Sequence, residues 1–361
     1  MTDDYSPERL AGEVRALERA RSGVPEHPHT GSFVAAPDRL DDELAERLAD
    51  DARALRYYHA FLDDCLRALL PTDLVLLGAP TGLGKTDLAL NIATSNAFNG
   101  KRAHYFALEA EPRELERRTK FALLSKEVYA AKLEDRHRMN YADWRLGRLE
   151  AICGQFNEKV RAQFDKHLRP LWTFYRGNKF DAQDLERQVL AVHERTDLIV
   201  IDHLHYIDAQ TDRNEAEAIG ATVKTIRDLS LNVGKPVILI AHLRKKEQGS
   251  KRLIAGLDDF HGSSNITKIC TQAITIERCH VVQPSKWFLA PTFMTVLKDR
   301  RSGAPPFVAL SNFDRRTKSY QGHYTLGRLT KGGSDWEQVP ATDKPEWALH
   351  HRPLEQPEGA F

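Results

Sequence analysis

The amino-acid sequence predicts an α/β fold, a mostly parallel sheet flanked by helices with a helical extension ahead of it. Three observations carry this expectation. From Asp73 onward, short Val-, Ile- and Leu-rich runs alternate with helical stretches, the pattern of strands buried on both faces. A glycine-rich loop ending in Lys-Thr follows the first run and opens a helical stretch. The 361 residues are 41% hydrophobic and 29% charged, which suits one large globular domain with extensions or two of ordinary size. The 52 Lys and Arg nearly cancel 51 Asp and Glu, which excludes a uniformly basic binder and an acidic disordered chain.

Taken in order, residues 1–60 read as a helical extension with a linker. Ser6 caps a helix with Pro7 at its first position and Leu10, Val14 and Leu17 on one face. Residues 22–37 carry three prolines and two glycines and read as a linker. A second helix follows, with Leu40, Leu44, Leu48 and Leu55 on one stripe. The strand series is LVLLG at 74–78, AHYFALE at 103–109, LIVID at 198–202, VILIA at 237–241, AITIE at 273–277 and TVLKD at 295–299. The runs at 293–299 and 306–313 read as an antiparallel hairpin on the sheet edge. Residues 321–361, with Trp336 and Trp347 among prolines, read as an irregular tail.

The four cysteines show no metal or disulfide spacing, which points to a reducing compartment. No apolar run approaches the roughly 18 residues of a membrane helix, and MTDDYSPERL lacks the features of a signal peptide. A cytoplasmic protein without a membrane span is the expectation.

GAPTGLGKT, residues 78–86, carries the strongest chemical signal. In such a loop, backbone N–H groups and the next helix's N-terminus cradle phosphates while a Lys neutralises their charge. The expected nucleotide contacts are Ala79, Pro80, Thr81, Gly82, Leu83, Gly84, Lys85, Thr86 and Asp87, with Ala79 where the usual pattern has Gly. Lys85 reaches the β- and γ-phosphates, and the Thr86 hydroxyl holds Mg²⁺. LIVID delivers a second metal carboxylate, Asp202, at the end of a buried strand. No acid adjoins Asp202, since His203 follows it. Glu109, at the end of HYFALE, is therefore the favoured group to activate water, with Glu111 as the competitor at a helix start.

With these residues in place the chain resembles a known family. GAPTGLGKTDLALNIA, ALEA at 107–110, LIVIDHLHYI at 198–207, KPVILIAHLRK at 235–245, GLDDFHGSSNITKICTQAITIER at 256–278 and VLKDRRSG at 296–303 are similar, in order, to the RecA-like motor domain of DnaB-type replicative helicases. The resemblance covers roughly residues 60–320 and implies a RecA-like P-loop NTPase core over 61–320. It implies an ATP-dependent DNA helicase using ATP and Mg²⁺. In it Lys85 and Thr86 bind phosphate and metal, Glu109 activates water, and Asp202 is the second acidic metal residue. His242 stands where the family usually has a Gln that senses the γ-phosphate. Lys298 and Arg300 match a Lys-x-Arg pair inserted into the neighbouring subunit's nucleotide site, Arg300 being favoured over Arg301 by register. A finger acting in trans requires an oligomer, and the family implies a hexameric ring.

Two loops are then expected to face the ring centre on single-stranded DNA, with RNA not excluded. The first carries Arg213; the second, RKKEQGSKR, carries Arg244, Lys245, Lys246, Lys251 and Arg252. No aromatic residue interleaves this basic run, so backbone tracking without sequence reading is expected. About 60 residues precede the motor, with no match to a primase-docking domain, which suggests a minimal helicase or a motor put to another use. Two further readings remain open: a RecA-like ATPase of recombination, repair or phage defence in which ATP controls assembly, and a nucleotide-gated scaffold without notable hydrolysis.

Overall fold

The structure is a computed structural model that describes residues 43–208, 215–244, 251–320 and 322–349, together with residues 14, 37 and 40. The chain divides into two units, residues 1–52 and 53–361. Most of the first helix expected from the sequence, and most of the linker, lie outside the described residues. Helix α1, Glu43–Arg53, holds no buried residue, and Leu40, Leu44 and Leu48 are exposed. Leu55 does not continue that stripe: it is buried in the second unit and bridges to Leu69. The second unit therefore begins before residue 61, with Leu55, Tyr57 and helix α2, Ala60–Leu66, inside its core.

The second unit is built on one sheet of eleven strands among the described residues. The strands in chain order are β1 Leu74–Ala79, β2 Ala103–Ala107, β3 Leu171–Tyr175, β4 Leu198–Asp202, β5 Val237–His242 and β6 Gln272–Arg278. They continue with β7 Leu289–Asp299, β8 Val308–Asp314, β9 Ser319–Tyr320, β10 Thr325–Thr330 and β11 Asp335–Gln338. The spatial order is β11-β10-β8-β7-β6-β1-β5-β4-β2-β3, with β9 beside β8. From β3 to β6 all neighbours are parallel; from β6 to β11 they are antiparallel.

The parallel strands are apolar on both faces because both faces are covered. Val75, Leu77, Val200, Ile238 and Ile240 join α2 and helix α3, Lys85–Phe98, in one core layer. The alternate residues Leu74, Leu76, Ile199, Ile201 and Leu239 pack on the opposite side. That layer includes α6, Ala182–Val192, and α7, Glu215–Val233. Between β2 and β3 the chain builds a separate helical cluster from α4, Glu114–Ala130, and α5, Asn157–His167, around Phe121, Leu124 and Val160. Strand β3 escaped the sequence reading because it is a half-exposed edge strand with Trp172 facing out.

The β7–β8 hairpin is not at the sheet edge; β10 and β11 extend the sheet beyond it. Accordingly residues 325–338 are not an irregular tail. Gly327 lets the Trp336 indole lie on the backbone, since a Cβ there would meet the ring at 2.2 Å. Trp347 packs against Phe61 and Phe307, and Leu326, Val339 and Ala348 enter the main core. Residues 350–361 lie outside the described residues. Among the described residues no helix is long and apolar enough to cross a membrane.

Leu326 is 1% exposed, so Leu326→Ala is expected to cost about 2–5 kcal/mol, against at most about 0.5 for a surface site. Urea denaturation measures it, and a near-neutral result would return this segment to the status of a tail.

Candidate active site

The parallel strands bring their C-terminal ends to one rim. Ala79 pairs with His242 and Ala107 with Asp202. The loop after β1 crosses this rim and turns into α3 with Gly82 and Gly84 at φ +82° and +79°. Gly84 caps α3 in the left-handed region without a side-chain cap, so the first helical N–H groups are left for an anion. Ala79, where the usual pattern has Gly, is still a regular strand residue paired with His242 and needs no unusual backbone. Its neighbour Gly78 is the constrained position: a Cβ there would sit 2.5 Å from the buried Phe260 ring. Tyr320 donates its hydroxyl to the Leu83 carbonyl at 3.1 Å and steadies the loop from the antiparallel half of the sheet.

Thr81 to Asp87 line one wall of a cleft of about 690 Å³. Glu109, Asp202, Arg118 and Tyr141 line it too, with Arg278, Trp287 and Lys318 from the β6–β8 side. Lys85 is buried, and its Nζ lies 3.0 Å from His242 Nδ1. The ammonium can only donate, so Nδ1 accepts and the proton of the neutral His242 ring lies on Nε2. Burial and the Lys85 charge both depress the His242 pKa. Burial likewise depresses that of Lys85, with Glu109 and Asp202 opposing it.

Asp202 is 3% exposed at the end of β4. Its Oδ2 accepts the Tyr105 hydroxyl at 2.8 Å, and the Thr86 hydroxyl lies near enough to favour the ionised carboxylate. Oδ1 is buried without a partner. Thr86 and Asp202 are thus brought together as expected, and hard oxygen donors with one open carboxylate oxygen suit Mg²⁺. Burial raises the Asp202 pKa to about 6, against the hydrogen bonds that lower it.

Glu109 lies two residues past β2, exposed at the rim, with its backbone N–H directed to the Asp202 carbonyl. One carboxylate oxygen lies within 4.8 Å of ring nitrogens of His203 and His242. Glu111 sits away from the cleft lining, in the turn that opens α4. Asp87 lines the cleft, yet its carboxylate is taken by Arg118 at 2.9 Å; it was expected among the nucleotide contacts.

Lys298 and Arg300 stand at the other end of the sheet. Asp299 pairs with Gln272 at the start of β6, and Arg300 N–H bonds to Thr271 beside the start of β1. The six residues of β1 separate this pair from the phosphate loop by about 20 Å. Lys298 Nζ and Arg300 Nη2 donate to the last carbonyls of helix α8, Ser263–Ile269. Arg301 is committed to its own chain through Asp73, Asp299 and the Ala68 carbonyl. Arg213, Lys245 and Lys246 lie outside the described residues. Arg244, Lys251 and Arg252 are exposed beyond the end of β5, with Arg252 3.5 Å from Asp259.

The sequence reading missed a group of imidazoles. His203, His205, His242 and His261 stand beside one another, with centroid separations of 3.7 Å for His203–His242 and 4.9 Å for His205–His261. The signal is present in DHLHYID, where two histidines follow within three residues of Asp202. Tyr105, which holds Asp202, and Arg118 were also overlooked.

A model of the DnaB-like helicase C terminal domain matches residues 57–321. The chain is 23% identical over 249 residues to a probable plasmid replicative DNA helicase of Chlamydia muridarum, covering 68% of this chain and 50% of that protein. It therefore spans about half the length of the curated relative it matches. Among solved structures, an ATPase domain superposes with TM-score 0.66 at 13% identity over 80% of this chain and 99% of that one. The structure of a DnaB-like replicative helicase, described with its interactions with primase, superposes with TM-score 0.61 at 13% identity over 87% and 71%. These two likenesses establish the fold, a RecA-like α/β core.

A carboxyl whose folded pKa is raised binds its proton more tightly in the folded state. Its stability contribution is present below the unfolded value and is lost as pH rises through about 6. In EDTA, Asp202→Asn is therefore expected to stabilise the protein at pH 8 by about 1–3 kcal/mol and to be near neutral at pH 4. Urea melts at the two pH values test this, and no gain at pH 8 would mean that the buried charge is fully compensated.

Proposed function

This chain belongs to the DnaB-like helicase family, and from that premise we propose that it is an ATP-hydrolysing motor. It assembles into a ring, moves along single-stranded DNA and unwinds duplex DNA. The observation that carries the reading is the division of the machinery between two rims of one sheet. Lys85, Thr86, Glu109, Asp202 and His242 gather at one rim, while Lys298 and Arg300 stand about 20 Å away at the other. A basic pair so placed serves no phosphate of its own chain, and it completes a site only when presented to a neighbour.

In this reading the free N–H groups of the loop and α3 hold the phosphates, and Lys85 leaves His242 for the γ-phosphate. His242 Nε2–H then reports whether that phosphate is present. Thr86 and Asp202 would hold Mg²⁺, which would neutralise phosphate charge during transfer. Glu109 takes the proton of the attacking water. A guanidinium from the next subunit stabilises the charge that develops on the transferred group, an effect worth about 10³–10⁵ in rate. Nucleic acid is held by the basic segment that follows β5, so each firing site moves the element that grips phosphate backbone.

Steady-state ATPase activity should rise with single-stranded DNA at low salt, with the stimulation fading as salt is raised. Activity indifferent to DNA would remove the translocation reading and leave an ATPase with another trigger. Lys85→Ala should abolish turnover. Arg300→Ala should abolish turnover yet bind nucleotide normally, and mixing it with Lys85→Ala should restore part of the activity in mixed rings. Absence of rescue would count against action in trans.

A further inference from the structure

His203 has no part in the mechanism so far, although it is 0% exposed and its ring lies 3.7 Å from that of His242. It caps the short turn Leu204–Tyr206: the His205 backbone N–H points at His203 Nδ1 with N···N 3.3 Å, and His205 Nδ1 approaches the same atom at 3.3 Å. A backbone N–H can only donate, so Nδ1 is the acceptor and bears no proton. The neutral ring then carries its hydrogen on Nε2. That Nε2 is buried and has no protein partner. A buried donor without a partner calls for an explanation.

The surroundings supply one. A ring nitrogen of His203, a carboxylate oxygen of Glu109 and a ring nitrogen of His242 lie within 4.8 Å of one another. Two groups that each hydrogen-bond the same water at about 2.8 Å stand about 4.6 Å apart when the water angle is tetrahedral. A ceiling of 4.8 Å admits one shared water between them. We propose that His203 is a further catalytic residue, its Nε2–H holding the attacking water against Glu109 and in line with the terminal phosphate. The inference deepens the ATPase reading and rests on it. As the water oxygen bonds to phosphorus and the bond to the ADP oxygen breaks, Glu109 accepts one water proton. His203 donates a hydrogen bond to a lone pair and surrenders no proton.

The same three side chains have the composition of a transition-metal site. Ligation through Nε2 would force the His203 proton onto Nδ1 and break the contact with the His205 N–H, and Lys85 would place a cation beside the ion. The hydrogen-bond pattern favours a water.

The test compares His203→Asn with His203→Gln. Asn keeps an acceptor at the Nδ1 position and reaches no further, whereas Gln places an amide N–H near Nε2. We expect His203→Asn to lower kcat by about 10²-fold with KM for ATP unchanged, and His203→Gln to recover to within about tenfold of wild type. Affinity for ADP with aluminium fluoride, which mimics the phosphoryl group under attack, should fall at least tenfold in His203→Asn while affinity for ADP alone stays the same. Wild-type kcat in His203→Asn would overturn the proposal. So would a parallel loss of ADP and ADP–fluoroaluminate binding, or a Gln variant as defective as Asn, since each marks a packing role. A wild type without turnover sinks the ATPase reading as well. An active wild type, an inactive Glu109→Gln and a fully active His203→Asn would sink the His203 assignment alone.

Discussion

In the pairs β1–β5 and β2–β4 the terminal residues stand opposite each other, Ala79 against His242 and Ala107 against Asp202. Parallel pairing makes every C-terminal strand end arrive at the same rim, and each loop that leaves it starts from a fixed height. The phosphate loop, the Asp202 carboxylate, Glu109 and His242 owe their proximity to that register. A slip of one residue would turn Asp202 from its own partners toward the opposite face, because side chains alternate along a strand. The register is held by two apolar layers that interdigitate on both sides, with Val75 and Leu77 in one and Leu74 and Leu76 in the other.

The groups behind this rim are buried, and burial governs their charges. Asp202 is held by the hydroxyl of Tyr105, with that of Thr86 nearby, while one oxygen stays open. His203 and His205 are pushed toward the neutral form chiefly by burial, His205 to a pKa of about 4. Neutral imidazoles next to Lys85 add hydrogen-bond capacity without adding positive charge.

The antiparallel half of the sheet performs a different task. Strand β7 carries Lys298 down to the far rim, where the carbonyls at the end of α8 hold it and Arg300. Strands β8 and β9 turn back to brace the phosphate loop through Phe313 and Tyr320. One hairpin and its neighbour thus touch the loop after β1 at one end and carry the basic pair at the other. Rigid strands are suited to linking the two, since strand length is fixed at about 3.3 Å per residue.

Much of the site was legible in the chain because its chemistry is local. The glycine-rich loop is contiguous, its neighbouring strand announces itself by an unbroken apolar run, and LIVID ends in the carboxylate it delivers. Composition and alternation of runs likewise determined the α/β class and the parallel half of the sheet. Other features were decided only by tertiary contacts between distant residues. The four imidazoles come from three separated segments, and no spacing in the sequence tells that rings at 203 and 242 meet. The last strands were hidden because β10 and β11 lie toward a sheet edge. There half-exposed positions blur the alternation, and Gly327 and Trp336 make sense only as partners. A local pattern fixes what a segment can become; burial against remote partners settles which groups lose water, and that loss of water is what turns ordinary histidines and an aspartate into a site.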